Sequence, residues 1–280
     1  MMCSCSKFYS SRLIVMINCW FDGSYCSIDD VRISPLDFGF IHGDATYDVM
    51  KSVNARPCFY DIHMKRFKEN CNFYGFTYND YSDIVNNLIN DCPNSFVWFI
   101  KWRGTPPSGS PRDLSGPEHT LIYAKPYYGI SDSPITLSIN EDLPRSPGYQ
   151  THKNFSWIEL TRAQRFAETD TAIVRSVEGY INEGPGFGIC FVVDNIVVTP
   201  KTDVLNSVTI HVVEEMCKEL AIGFERRDFK EYNQFSECFI CSTSGGLTPV
   251  KSLNEHQFPS NNITEILRNH YEYKVAHNAS

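Results

Sequence analysis

The chain has 280 residues, 42% of them hydrophobic and 21% charged, with a formal net charge of −8. That is the make-up of an ordinary soluble globular protein, long enough for one large domain or two modest ones with a real core. No dense Lys/Arg run marks a nucleic-acid binder, and no stretch approaches the ~20 apolar residues that a membrane span needs.

Residues 1–12 are polar and irregular and read as a loose tail. Two strand-like runs, Met16–Phe21 and Tyr25–Ile28, flank Asp22-Gly23-Ser24, and Asp-Gly between such runs signals a hairpin. Asp61 is placed to cap a helix whose apolar positions Met64, Phe67, Cys71 and Tyr74 recur at helical spacing. A second helix is predicted over 83–90, and strands over 96–103 and 120–127. The Pro-, Gly- and Ser-rich stretch 104–117 between those strands is a loop. A composition shift at 126–134 predicts an interdomain linker between a small α/β domain, 13–125, and a larger domain, 135–280.

The second half opens with a strand at 135–140 and a loop carrying Pro144, Pro147 and Gly148. A helix follows at 157–168, for which Ser156 and Glu159 make a capping box. Strands are expected at 171–177, 188–194 and 195–200, the last two joined by a tight turn at Asp194-Asn195. Ile210, Val213, Cys217 and Leu220 share one face of a helix over 209–220. A strand at 237–243 and a helix near 263–272 complete an α+β chain in two halves.

Eleven cysteines, an odd number scattered from Cys3 to Cys241, read as reduced thiols of a cytoplasmic protein. Cys238 and Cys241 form a CxxC, but one pair without a partner pair reads as a buried strand, so no metal is expected.

Taken singly, the polar motifs are bland. Lys153, after the Pro/Gly loop, is a surface lysine at a helix start. Glu183 is a carboxylate in the glycine-rich turn Asn182-Glu183-Gly184-Pro185-Gly186-Phe187-Gly188. Leu205–Thr209 leads into a helix, whose N-terminus suits a phosphate. Ser242-Thr243-Ser244-Gly245-Gly246 is a small-residue turn after a buried strand.

Their joint order says more. From Ile14 to about Tyr273 the chain resembles the class IV aminotransferases, a group with branched-chain and D-amino acid aminotransferases, (R)-selective amine transaminases and aminodeoxychorismate lyase. The resemblance rests on Ser34–Phe40, His42–Val49, Arg56-Pro57, Asp61–Phe67, Lys153–Trp157, Asn182–Phe187, Val198–Pro200 and Ser242–Val250, in family order. It implies a two-domain fold type IV enzyme, pyridoxal 5′-phosphate (PLP) as cofactor, an amine or amino acid and a 2-keto acid as substrates, and a homodimer. It further implies Lys153 as the Schiff-base lysine and proton carrier, and Glu183 as the carboxylate that keeps the pyridine nitrogen protonated. The phosphate falls to the fork of Arg66, the N–H groups of Val208 and Thr209, and the Thr243 hydroxyl.

Thr46-Tyr47-Asp48-Val49, Lys153–Trp157 and Gly245-Gly246 look most like the (R)-amine branch. Tyr47, Phe96, Trp98, Trp157 and Ser244 would then line the substrate pocket, and Arg112 resembles a mobile arginine that takes a carboxylate. The strand Phe96–Phe99 lacks the arginine that branched-chain enzymes place there. A lyase of the aminodeoxychorismate type or a branched-chain enzyme is the alternative. The chain departs from the family at Gly188, where Asn is usual, and at Ser207-Val208-Thr209-Ile210, where Gly-Ile-Thr-Arg is usual.

Overall fold

The computed structural model describes residues 17–127 and 133–277. The tail at 1–12 and most of the expected linker therefore lie outside the described residues.

The first half is built on one antiparallel sheet. Strands β1 (Asn18–Phe21) and β2 (Ser24–Ser27) form the expected hairpin, with Asp22 and Gly23 both left-handed, at φ 45° and 97°. After the short α1 (Phe38–Ile41), β3 (Ala45–Val53) and β4 (Arg56–Pro57) lead into α2 (Tyr60–Tyr74) and α3 (Ser82–Asp91). Strands β5 (Ser95–Arg103) and β6 (Glu118–Pro126) then complete the order β2-β1-β6-β5-β3-β4. Side chains alternate between sheet faces. Met50, Val97, Phe99 and Ile122 pack on Met64, Phe67 and Cys71 of α2 and on Val85 and Leu88 of α3. The Asp61 cap does not form. The chain turns off the β3–β4 hairpin through Phe59, left-handed at φ 55°, so Asp61 is already the second helical residue and makes no capping bond.

The second half carries β7 (Ile135–Arg145), α4 (Ile158–Arg165), β8 (Thr171–Ser176), β9 (Gly188–Val193), β10 (Ile196–Thr199), α5 (Val208–Glu219), β11 (Gly223–Arg226), β12 (Glu237–Ser242), β13 (Gly246–Leu253), β14 (His256–Gln257) and α6 (Asn262–His277). Its sheet runs β11-β10-β9-β12-β13-β7-β8, with β14 hydrogen-bonded to β13. Both faces are covered, which is why β9 and β12 are continuous apolar runs in the sequence. On one face Ile189, Phe191, Cys238 and Ile240 join Leu137 and Val250. On the other, Cys190, Val192, Phe239 and Cys241 pack against Val213 and Met216 of α5 and Leu267 and Tyr271 of α6. Cys238 and Cys241 thus point to opposite faces, as an odd spacing in a strand requires, and burial raises both thiols well above their usual range.

The capping box expected at Ser156 and Glu159 is also absent. Helix α4 starts after Trp157 with no side-chain cap, and it ends at Arg165. Ser156 Oγ pairs with the Tyr149 hydroxyl at 3.2 Å, while Glu159 is buried and faces Arg145 and Ser146. The Ser146 N–H and hydroxyl both donate to Glu159 Oε1, and they hold the carboxylate inside instead of at the helix start.

Candidate active site

Lys153 does not begin a helix; it lies in the irregular segment before α4, and that segment is tied to the first sheet. Thr46 Oγ1 of β3 donates to the Lys153 carbonyl at 2.6 Å, and Asn154 makes an antiparallel bridge with Thr46. The Lys153 N–H donates to Asn70 Oδ1 of α2 at 3.3 Å. The side chain extends into a cleft between the halves, with Nζ 4.6 Å from the centre of the Tyr47 ring. Enclosure of the amine, then the Arg66 charge, push its pKa down to about 8.

Glu183 enters the same cleft from the loop after β8. The residues that follow it fold as a Pro185-Gly186 turn closed by two backbone bonds between Gly184 and Phe187, with Gly186 at φ 85°. The carboxylate is buried, and each of its oxygens accepts from the protein. Oε1 accepts from Arg145 Nε and Nη2 at 3.1 and 3.0 Å, and Oε2 accepts from the Leu205 N–H at 3.0 Å. Burial raises the Glu183 pKa and the Arg145 charge opposes that rise. Arg145, at the end of β7, is itself buried and also faces Glu159, 3.5 Å away.

Arg66 lines the cleft, yet its fork is not free. Nε and Nη2 donate to Asp48 Oδ2 and Oδ1 at 2.7 and 2.8 Å, and Nη1 donates to the Asn206 carbonyl at 3.2 Å. Asp48 sits on β3 with no exposed surface, so it needs the guanidinium opposite and His63 Nδ1 at 2.7 Å. Despite burial, these partners hold the Asp48 carboxyl below the usual carboxylate range. Burial lowers the His63 pKa, against the pull of Asp48. Arg66 thus presents its charge to the cleft while its Nε/Nη2 edge holds Asp48.

The first turn of α5 borders the cleft beside it. Ser207 Oγ accepts from the Ile210 N–H at 3.3 Å, a true N-cap. The N–H groups of Val208 and Thr209 have no acceptor within the helix, and both residues line the cleft with Thr243. The two departures at Gly188 and Ile210 prove to be one arrangement. A Cβ on Gly188 would stand 2.5 Å from Ile210 Cδ1, so the missing side chain on β9 is the space that the isoleucine of α5 fills.

The structure divides the expected pocket residues. Tyr47 and Trp157 line the cleft, their ring centres 6.4 Å apart, and Trp157 Nε1 donates to the Asn154 carbonyl at 3.2 Å. Trp98 stacks behind Tyr47 at 5.8 Å, and Phe96 packs on Tyr127 at the far end of the sheet, so neither lines the cleft. Arg112 is exposed in the 104–117 loop, and Ser244 is exposed at the β12–β13 turn, bonded to Ser242 Oγ at 3.2 Å; both stand outside the cleft. Sequence reasoning missed Asp48, His63, Arg145, Glu159 and Gln150. Only Asp48 left a signal: it shares strand parity with the core residue Met50, and so is a charge on a buried face.

Comparison with known proteins follows the same lines. A D-alanine aminotransferase of Staphylococcus haemolyticus is 20% identical, with 90% of this chain and 95% of that protein covered. A probable branched-chain-amino-acid aminotransferase of Thermotoga maritima is 23% identical, with 85% and 88% covered. Among solved structures, the branched-chain aminotransferase of Thermoproteus uzoniensis with norvaline superposes with a TM-score of 0.85 at 16% identity, covering 93% of this chain and 95% of that one. An aminotransferase from Brucella abortus bound to the cofactor PLP gives 0.84 at 14% identity, covering 94% and 100%. The sequence profile described as amino-transferase class IV matches residues 45–253. A match across most of the chain, with the fold to go with it, makes this protein a member of the class IV aminotransferases.

Proposed function

We propose that the chain is a PLP-dependent transaminase that moves an amino group between an amine or amino acid and a 2-keto acid, with Lys153 at its centre. The observation that carries this is an enclosed lysine amine, its pKa brought down to about 8, in one cleft with a buried carboxylate and two unpaired helix N–H groups. Those groups fit the cofactor: an amine for its carbonyl, an anion for its ring nitrogen, and donors for its phosphate. PLP, when bound, supplies an electron-withdrawing ring that acidifies the substrate's Cα–H.

Lys153 Nζ would hold the cofactor through its carbonyl, and its free amine would hold and move the proton at the substrate Cα. Glu183 would face the ring nitrogen and keep it protonated, and Arg145 with the Leu205 N–H fixes the carboxylate's rotamer. The N–H groups of Val208 and Thr209 and the Thr243 hydroxyl cup the phosphate, with the Arg66 charge beside them. Tyr47 and Trp157 wall the substrate side. An amine donor, (R)-configured, is favoured by the motif resemblance at Thr46–Val49, Lys153–Trp157 and Gly245-Gly246. The second reading, an amino acid donor, draws support from the D-alanine and branched-chain relatives.

The same proposal includes a homodimer, supported by exposed apolar side chains at Ile33, Leu36, Phe40 and Ile41. It includes a cytoplasmic location, supported by nine free cysteines among the described residues. It also keeps two domains, 13–125 and 135–280, joined at 126–134. No helix among the described residues is long and apolar enough to cross a membrane.

The test is the visible absorbance of the PLP-loaded protein before and after (R)-1-phenylethylamine. A band that fades, and returns on adding pyruvate, establishes transamination of an amine. A band that ignores this amine but bleaches with leucine or D-alanine moves the donor to an amino acid. No band in the wild type, or one that persists in Lys153→Ala, defeats the proposal.

A further inference from the structure

Gln150 lines the cleft with both polar atoms of its side chain buried and without a hydrogen-bond partner among the described residues. It lies in the single turn Tyr149–Thr151, three residues before Lys153, and is 1% exposed. Neither Oε1 nor Nε2 has a hydrogen-bond partner. Buried amides are paired in nearly all folded proteins, so one with both ends unmet in the wall of a cleft marks the place of a ligand or an ordered water.

Among its described cleft neighbours only Arg145 keeps a buried side-chain polar atom without a hydrogen bond, the donor Nη1. Asn154 is satisfied at both ends, by the His152 carbonyl and the Ser156 N–H. Glu183 is occupied by Arg145 and Leu205, and the Arg145 charge is held between two carboxylates. The cofactor reading leaves one polar group without a counterpart. The carbonyl goes to Lys153, the ring nitrogen to Glu183, and the phosphate to α5 and Arg66. What remains is the ring hydroxyl, on the carbon next to the one that bears the carbonyl. Gln150 and Lys153 belong to one short segment, so their side chains can reach adjacent ring positions.

We propose that Gln150 is a cofactor-contact residue whose amide Nε2 donates to the ring hydroxyl oxygen of PLP. The proposal rests on the PLP reading above. A neutral donor there holds the oxygen in its ionised form without adding a charge beside Arg145 and Glu183. It also competes for the proton that this oxygen shares with the Lys153 nitrogen. Removing the donor therefore raises the pH midpoint of the bound cofactor's visible absorbance.

The experiment titrates cofactor-free wild type and Gln150→Leu with PLP and with 3-deoxypyridoxal phosphate, following tryptophan fluorescence. The expected result is that Gln150→Leu weakens PLP binding about fivefold, the size of a neutral hydrogen bond, and leaves the deoxy analogue unaffected. The absorbance midpoint of the PLP-loaded variant moves upward. Equal loss for both ligands, or no loss for PLP, overturns the assignment. If the variant does not fold, the wild type decides alone: equal affinity for PLP and its deoxy analogue overturns it. A wild type that binds neither ligand refutes the PLP reading as a whole.

Discussion

A lysine amine attacks a carbonyl only as the free base, so the surroundings of Lys153 set the pH at which the cleft can take up a carbonyl cofactor. With its pKa lowered to about 8, the reactive fraction grows through that pH, not near the ordinary lysine value of 10.5. The rate of PLP incorporation by cofactor-free protein, followed by stopped-flow absorbance, should rise with a midpoint near pH 8. Arg66 supplies the second-largest part of that shift, so Arg66→Met should move the midpoint upward. The same variant leaves Asp48 buried without its guanidinium and should cost about 3–5 kcal/mol of stability at neutral pH. A midpoint that stays put in a folded Arg66→Met protein would contradict the electrostatic account. That Lys153 and Glu183 are candidate site residues was legible in the sequence, because a motif surrounds each of them, and the fold brings both to one cleft. Arg145, Glu159 and Gln150 were not: each takes its meaning from a partner or a cavity that only the tertiary fold assembles.

Among the elements, those with a strong period or a decisive turn were readable. The Asp22-Gly23 hairpin, the apolar stripe of α2 and the paired strands around Asp194-Asn195 lie close to where the sequence put them. The reading assigned no strand to 45–53 or 246–253. β3 mixes Asp48 and Lys51 into a buried strand, and β13 carries Pro249 and Lys251 in a pattern without clean alternation. Both helix caps were misjudged for one reason: a capping motif gives an exposed helix start, and here the fold uses Glu159 inside and enters α2 directly from a hairpin. The packing of β9 on α5 makes its own prediction. Gly188→Ala should crowd Ile210 and destabilise the protein by about 1–3 kcal/mol, as overpacking does. Adding Ile210→Ala should recover part of that loss in urea denaturation, with a coupling of about 0.5–3 kcal/mol. Strict additivity of the two changes would show that they do not share a space.

For the molecule as a whole, the two-half, two-sheet plan followed from the succession of elements, while the partner surface did not. Leu36 and Phe40 are 64% and 71% exposed in a segment that packs little of its own apolar surface. Such side chains, close together on a chain of 32.1 kDa, fit an interface between copies. Sedimentation equilibrium should give about twice that mass, and Leu36→Asp with Phe40→Asp should return it to the monomer value. A monomeric wild type would sink the homodimer. The bridge between Thr46 and the Lys153 segment has a consequence at the same scale. By covalent chain the lysine belongs to the second half, but by its backbone bonds it rides on the first. Its counterparts, Glu183 and the first turn of α5, ride on the second. The distance between the amine and the carboxylate therefore depends on how the two sheets sit against each other, and any shear between the sheets shifts one group relative to the other.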